Sequence, residues 1–427
     1  MRQPLATIAV LTTNFAVAVG AWRVSRWASL SSVYQPRLVE DWLRYSEQGS
    51  QLAVEACLIM RPHVTVALLL LLGGGCAGPR DGGGDPAGEL TRIVDGRPLC
   101  PECEVVLKEV VLLGHSADPF SVREDGAGVE CLVGRLSTGE FLMSGPVGGG
   151  HVLVYDSLGR FLGTIGRPGQ GPGEFGRQVR LVVGRGDTVF ALDDAYMRVQ
   201  RFTHDGQFLG GFPFTGQVTS FALLDDGSLL LHRLPWQRED YLFHLLSPTG
   251  EELAKFGTSS MEELDLDFRV ASPSLGGGFW TASLWRYEAH LWEAPGILAG
   301  ILRREVDWFP SGGSYPEGIY ERVPPPPFFQ HIWEDGSGRL WTYAYLPDPD
   351  WRPGLPLQPR TEWFRRTFDT RIEVIDLGQA RLIASGTYET RLARVCNSHL
   401  MYTVLETEEG DTRVQVLEPV LMGAGVR

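Results

Sequence analysis

Residues able to do chemistry are sparse in this 427-residue chain. Of nine histidines, three stand at the ends of apolar runs: His232 after Leu229-Leu230-Leu231, His331 before Ile332-Trp333, and His399 before Leu400-Met401. Imidazoles delivered from three separate strands could hold a divalent metal, zinc or, with nearby carboxylates, calcium. Such a metal would suit lyase or lactonase chemistry at the mouth of a channel. Single histidines at strand ends more often serve local hydrogen bonds, so this is the minority reading. No Gly-x-Ser-x-Gly nucleophile stands in a strand-turn-helix setting. The glycine-rich run Gly166–Gly173 has no helix after it and no Lys-Ser/Thr pair, so it reads as a tight loop rather than a phosphate cradle. Asp205-Gly206 and Asp225-Asp226-Gly227 are turn signals before they are calcium ligands.

Six cysteines are present. Cys100-Pro101-Glu102-Cys103 favours a disulfide if the chain is exported. Zinc would need two further ligands, and no second Cys pair follows at the usual spacing. Covalent haem would need His where Glu104 stands. A thioredoxin-like role would want a helix after the motif, whereas a strand pattern follows. Cys131 and Cys396 fall inside strand patterns of the first and last blades and read as buried small hydrophobes; a disulfide between these adjacent blades is the alternative, with nothing in their spacing to support it.

Aromatic residues offer a second kind of site. Trp308 precedes a Gly/Pro-rich connection, and Trp351, Trp363 and Arg365 lie in an insertion of about twenty residues that interrupts a hairpin. Trp and Arg on a loop rim are binding anchors suited to a peptide or a sugar. The competing reading has the loop cover one channel end and bury its own tryptophans.

The elements that would position these residues come from a repeat. His151-Val152-Leu153-Val154-Tyr155-Asp156-Ser157-Leu158-Gly159-Arg160-Phe161-Leu162-Gly163 is nearly restated from Met197 to Gly210. Self-similarity at roughly 40–50 residues marks a propeller or another β array. Turn-then-apolar strands recur at Phe141, Val189, Leu229, Phe279, Leu340 and Leu400, each followed by an alternating hairpin. Buried inner strands followed by half-buried outer ones describe a four-stranded blade. Six units fit: Cys131–Ile165, Val179–Phe214, Val218–Phe256, Val270–Leu302, His331–Ser385 and Leu392–Leu421. The last has room for about three strands. The lone strand Val105–Leu113 is therefore expected to complete it and close an all-β, six-bladed β-propeller spanning 105–427.

The segment Val189-Phe190-Ala191-Leu192-Asp193-Asp194-Ala195-Tyr196-Met197-Arg198-Val199-Gln200 resembles an NHL-type repeat. Asp193, Arg198, Val199 and Gln200 match that pattern, while Tyr196 and Met197 replace its Asn-His pair. Gly166–Phe175 resembles the inter-blade loop of the same propellers, which are common among six-bladed lipoproteins of bacteria. The resemblance covers Val152–Phe214 and implies a fold more than an activity.

Upstream, Met60-Arg61-Pro62-His63 leads into an apolar run of leucines, three glycines and Cys76. A short basic start, an apolar core and small residues describe a secretory signal, 60–75. Cys76 after small residues resembles a bacterial lipobox, which implies lipidation at that thiol, with Gly73 in place of the usual Leu. Residues 1–59 then read as an over-extended gene start, the rival being a membrane anchor at Leu5–Trp22. Residues 76–104 read as a linker, Gly/Pro/Asp-rich near its start. Net charge is −14 and no Lys/Arg cluster occurs, which argues against nucleic acid as a partner. The function expected is that of an exported, lipid-anchored binding or scaffolding protein, meeting a protein, peptide or glycan at the cell envelope in the periplasm or at the outer membrane. The alternative is the metal-dependent enzyme.

Overall fold

Glycine-bearing turns cut the chain into short strands, and successive strands pair antiparallel in groups of four. A computed structural model describes residues 90–114, 131–145, 150–176, 179–233, 241–258, 268–309, 323–353, 367–406 and 412–423. All of them belong to one compact unit, Gly84–Arg427. Two strands come first, β1 (Thr91–Ile93) and β2 (Glu104–Leu113). Blade 1 holds β3 (Val133–Arg135), β4 (Phe141–Ser144), β5 (Val152–Tyr155) and β6 (Phe161–Ile165). A short parallel pair, β7 (Arg167–Pro168) and β8 (Glu174–Phe175), leads to blade 2, with β9 (Arg180–Val183), β10 (Val189–Asp193), β11 (Arg198–Phe202) and β12 (Phe208–Pro213). Blade 3 holds β13 (Val218–Leu223), β14 (Leu229–Arg233), β15 (Tyr241–Leu246) and β16 (Glu252–Thr258). Blade 4 holds β17 (Arg269–Pro273), β18 (Phe279–Ser283), β19 (Glu288–Ala294) and β20 (Ile297–Arg303). Blade 5 holds β21 (Phe328–Asp335), β22 (Arg339–Pro347), β23 (Phe368–Asp376) and β24 (Arg381–Tyr388). Blade 6 holds β25 (Ala393–Arg394), β26 (Met401–Glu406) and β27 (Thr412–Met422), with β2 as its outermost strand.

The fold is thus a six-bladed β-propeller. The expected closure is present: β2 runs antiparallel to β27 from Glu104↔Met422 to Leu113↔Val414. Residues from both chain ends then share one core with blade 1, where Val111, Leu113 and Val416 pack with Val133, Phe141 and Tyr155. Between blades 3 and 4 the filling is aromatic. Phe243 stacks on Phe256 at 5.1 Å between ring centroids, and Trp292 sits 5.3 Å from Phe256. Polar atoms fasten the connection between blades 1 and 2. Gln200 donates to the Glu174 carbonyl at 2.7 Å and accepts from Gly173 N at 2.9 Å, while Arg198 donates to the Gln170 and Glu174 carbonyls. Two of the residues that carry the repeat motif therefore hold down the glycine-rich loop.

Two findings depart from the expectations. The sequence reads as a linker over 76–104, yet from Leu90 onward the chain is a strap across blades 4 and 5. β1 adds to β20 as a parallel fifth strand, pairing Thr91↔Ile301 through Ile93↔Arg303. The strap then pairs with β24: Leu382 N donates to Asp95 O at 3.0 Å and Leu99 N to Leu382 O at 2.8 Å. Arg92 ties it further to the carbonyls of Leu377 and Gly378. The strap holds by backbone bonds to sheet edges, which need no hydrophobic period and leave little trace in residue types. The Cys100–Cys103 disulfide, with Cα atoms 5.2 Å apart, turns the strap into β2.

The second departure is Cys131 and Cys396, which are buried but not as free thiols. They form a disulfide with Cα atoms 4.8 Å apart across a sequence separation of 265. Closure of the ring brings the entrance of blade 1 beside the first hairpin of blade 6, which no local spacing announces. Leu181 N donates to the Cys131 carbonyl at 2.7 Å, so this link also touches blade 2. Replacing Cys131 and Cys396 together by Ala should lower stability by about 2–4 kcal/mol, read from urea denaturation of the oxidised protein. An unchanged midpoint would remove the link from the fold's energetics.

Candidate functional site at the loop-bearing end

Each blade runs down, up, down and up, so its connections segregate. At one end of the strands all described hairpins are tight. Leu136 N bonds Glu140 O, Gly184 N bonds Thr188 O, Leu224 N bonds Ser228 O, and the next hairpins close the same way at Asp156–Arg160, Thr203–Gln207 and Ser247–Glu251. At the other end lie the links between blades and between each blade's second and third strands. Strands β2, β14, β16, β20 and β22 end on this side, and β3, β15, β17, β21 and β23 begin there. Long connections on a rigid scaffold are where binding residues concentrate. Trp363 and Arg365 fall in 354–366, outside the described residues.

The axis is filled by the first hairpin of blade 6, which turns at the opposite, tight-turn end. Arg394 on β25 is 1% exposed. Its guanidinium donates to Ala271 O of blade 4 at 3.3 Å, to His331 Nδ1 of blade 5 at 3.4 Å and to Ser220 Oγ of blade 3 at 3.4 Å. Blade 3 lies opposite blade 6 in a six-membered ring, so Arg394 crosses the centre. Asn397 makes a second crossing: it accepts from Leu223 N at 3.0 Å, and its amide donates to Leu223 O. Asn397 has φ +56°, a left-handed conformation that Asn tolerates better than most residues.

The three metal candidates are not brought together. His331 is 2% exposed and stacks on Tyr343 at 5.5 Å. Burial, then the Arg394 charge, holds its pKa well below the ordinary imidazole value, so the ring is neutral. His232 is buried on the second strand of blade 3, where its Nδ1 meets Thr219 Oγ1 and its ring packs 4.9 Å from Phe243. His399 lies at the tight-turn end, with Nε2 3.0 Å from Glu418 Oε1. Inner strand, second strand and turn point in different directions, which a one-dimensional spacing of histidines conceals. Among the described residues no group of three His, Cys, Asp or Glu side chains could hold a metal ion.

The described aromatic candidates do not line an open groove. Trp351 is only 9% exposed, because the insertion folds back at its base, where Asp348 N donates to Thr367 O and Trp351 N to Asp348 O. Trp308 packs 5.6 Å from both Tyr287 and Phe309 and lies under the Arg371 guanidinium at 4.8 Å. Packing claims both rings.

Sequence reasoning missed the charged groups. At the loop-bearing end Arg180, buried, pairs with Asp194 at 2.9 Å and donates to Val218 O, joining blades 2 and 3. Asp369 at the start of β23 is 5% exposed. Burial, then the charges of Asp348, Glu389 and Asp350, pushes its pKa up to about 6. Between blades 4 and 5, Glu373 is fully enclosed, with Arg304 Nε at 2.7 Å, Arg371 Nη2 at 3.1 Å and the Tyr287 hydroxyl donating at 2.6 Å. The adjoining cavity, about 10 Å³ and lined by Tyr287, Arg304 and Thr342, has room for a single water. The only available signal was a charge on the inward side of an alternating strand.

No protein-family model matches this chain, and no curated protein does. Solved structures are similar at low identity. A DUF4221-family protein from Bacteroides vulgatus has 11% identity and a TM-score of 0.49 over 75% of this chain and 99% of that one. A candidate exported protein from Bacteroides fragilis has 11% identity and a TM-score of 0.48 over 78% and 99%. Virginiamycin B lyase from Staphylococcus aureus has 8% identity and a TM-score of 0.41 over 74% and 99%. Likeness this distant carries no functional argument, and the blade count rests on the strand pairing itself.

Folded His331 stays neutral, while the unfolded chain takes up a proton there as pH falls through about 6.5. The unfolded state then binds more protons, so this group's contribution to stability is complete above about 6.5 and declines below it. Urea midpoints measured from neutral pH down to about pH 5 should fall less steeply for His331→Gln than for the parent protein. Equal slopes would show that His331 is not held neutral.

Proposed function

We propose that this protein is an exported binding protein of the bacterial cell envelope, tethered through a lipidated Cys76 and presenting the loop-bearing end of a rigid ring to a protein, peptide or glycan. The observation that carries export is the pair of disulfides, Cys100–Cys103 and Cys131–Cys396. Disulfides of this kind persist in oxidising compartments and are rare in reducing ones. The signal-like segment ending at Cys76 agrees with this, although it lies outside the described residues. The resemblance of Val152–Phe214 to NHL-type repeats of bacterial lipoproteins points the same way.

A binding role is favoured by the construction of the axis. Arg394 and Asn397 fill it with groups already engaged by opposite blades, which makes the hub a brace. Recognition then falls to the connections around it, where Asp194, held by the buried Arg180, presents a half-exposed carboxylate at the fixed end of β10. Strands hold such groups more rigidly than loops alone would, and preorganisation lowers the cost of binding.

Expression of the full chain in a bacterial host with labelled palmitate checks the localisation. Label should enter the parent protein in the membrane fraction, and Cys76→Ser should be unlabelled and released. Thiol alkylation without reductant should leave Cys100, Cys103, Cys131 and Cys396 unmodified. A cytoplasmic protein with all four thiols reactive would end the export reading.

A further inference from the structure

The outermost strands of the blades are not treated alike by the chain. β20 carries no charge before Arg303, and β1 covers it. β24 accepts the strap at Asp95 and Leu99. β16 carries Glu252 and Lys255, and charged residues are a common guard against edge-to-edge pairing. β6 and β12 are different again. Phe161–Ile165 and Phe208–Pro213 contain no charged residue, and among the described residues no strand pairs with their outer sides.

Each of these two edges has a bulge at the same place. Tyr155 pairs with Phe161 and Val154 with Gly163, which leaves Leu162 as the extra residue. Phe202 pairs with Phe208 and Arg201 with Gly210, which leaves Leu209. Leu162 is 55% exposed and Leu209 44%. The matching bulge residue of blade 5 is Ile383, between Leu382 and Ala384, and it is 9% exposed. It packs in one cluster with Cys103, Leu99 and Cys100, at the end of the strap. The chain thus shows what covers such an edge: an extended segment that bonds through its backbone and lays an apolar side chain over the bulge. Gly163, Gly210 and Gly211 leave room for a backbone to approach β6 and β12 closely.

We propose that the outer edges of β6 and β12 are docking sites for an extended segment of a partner protein, added as a further strand in the way the strap adds to blades 4 and 5. The segment would alternate apolar and polar residues, with its apolar side chains over Leu162 or Leu209. This surface is distinct from the loop-bearing end and does not depend on it.

The test selects short random displayed peptides against the full chain. Enriched peptides should alternate apolar and polar residues and slow amide exchange in β6 or β12. The double variant Leu162→Lys, Leu209→Lys changes only exposed side chains and should keep the parent's urea midpoint. It should weaken peptide binding about tenfold or more, the loss expected from about 1.4 kcal/mol. Leu253→Lys on the already charged β16 should leave binding unchanged. The proposal is overturned if no peptide is enriched, if protection appears only at the loop-bearing end, or if the double lysine variant binds as well as the parent. Protection of β6 and β12 that rises with protein concentration alone would also overturn it, assigning these edges to a second copy of the chain.

Discussion

A ring of sheets is stable only if its first and last members meet, and here that meeting is the pairing of β2 with β27. Every blade buries both faces against neighbours, so an unclosed ring would expose two whole faces at once. Ten residues from the start of the propeller complete a sheet whose other three strands come from its end. The bonds between Glu104 and Leu113 and their partners thus protect much more than their own strand. The remaining fasteners act on the same seam. The Cys131–Cys396 link spans it covalently, Tyr388 donates to the Val105 carbonyl from blade 5, and the strap binds the outside of blades 4 and 5 before entering blade 6.

Closure also explains the hub. Once six inner strands surround an axis, whatever fills the centre touches several blades, and a polar side chain there must satisfy groups from opposite sides. Arg394 meets acceptors on blades 3, 4 and 5, and His331 stays neutral so that its Nδ1 can be one of them. Glu373 follows the same rule away from the axis. Its carboxylate is enclosed between two arginines and a tyrosine, because a lone charge at that depth would be prohibitive. Replacing one partner of such a set leaves the others buried and uncompensated, so these groups specify one arrangement of blades 4 and 5.

The fold was largely legible because its determinants are local and repeated. The alternation in Val152–Phe214 and the apolar runs at Phe279, Leu340 and Leu400 each mark a strand through side-chain burial. The homeless strand Val105–Leu113 pointed to closure by a counting argument. What local pattern does not carry is non-local. The strap is held by backbone bonds, and its Thr91–Ile93 strand is too short for a period. Cys131 and Cys396 meet only after the ring closes. His232, His331 and His399 all sit at the ends of apolar runs in the sequence, but the direction of a side chain depends on which strand of the blade it occupies and where along it the residue falls. Trp351 and Trp308 have the chemistry of binding anchors, but Trp351 is buried and Trp308 packs against Tyr287, Phe309 and Arg371.

The two exposed surfaces follow from two different freedoms in this architecture. Connections at the loop-bearing end can lengthen without disturbing any blade, since loop closure becomes only slowly more costly with length. That end can therefore acquire new contacts at little expense to the fold. The outer edges have the opposite character. Their backbone groups are fixed by the inner strands, and only side chains such as Glu252 and Lys255, or a covering segment such as the strap, decide whether they stay solitary. Blades 1 and 2 carry the clearest repeat, and yet among the described residues neither a charge on β6 and β12 nor a further strand guards their outer edges. Regular repetition accounts for their bulges, but the exposed leucines at Leu162 and Leu209 are side-chain choices that the repeat alone does not demand.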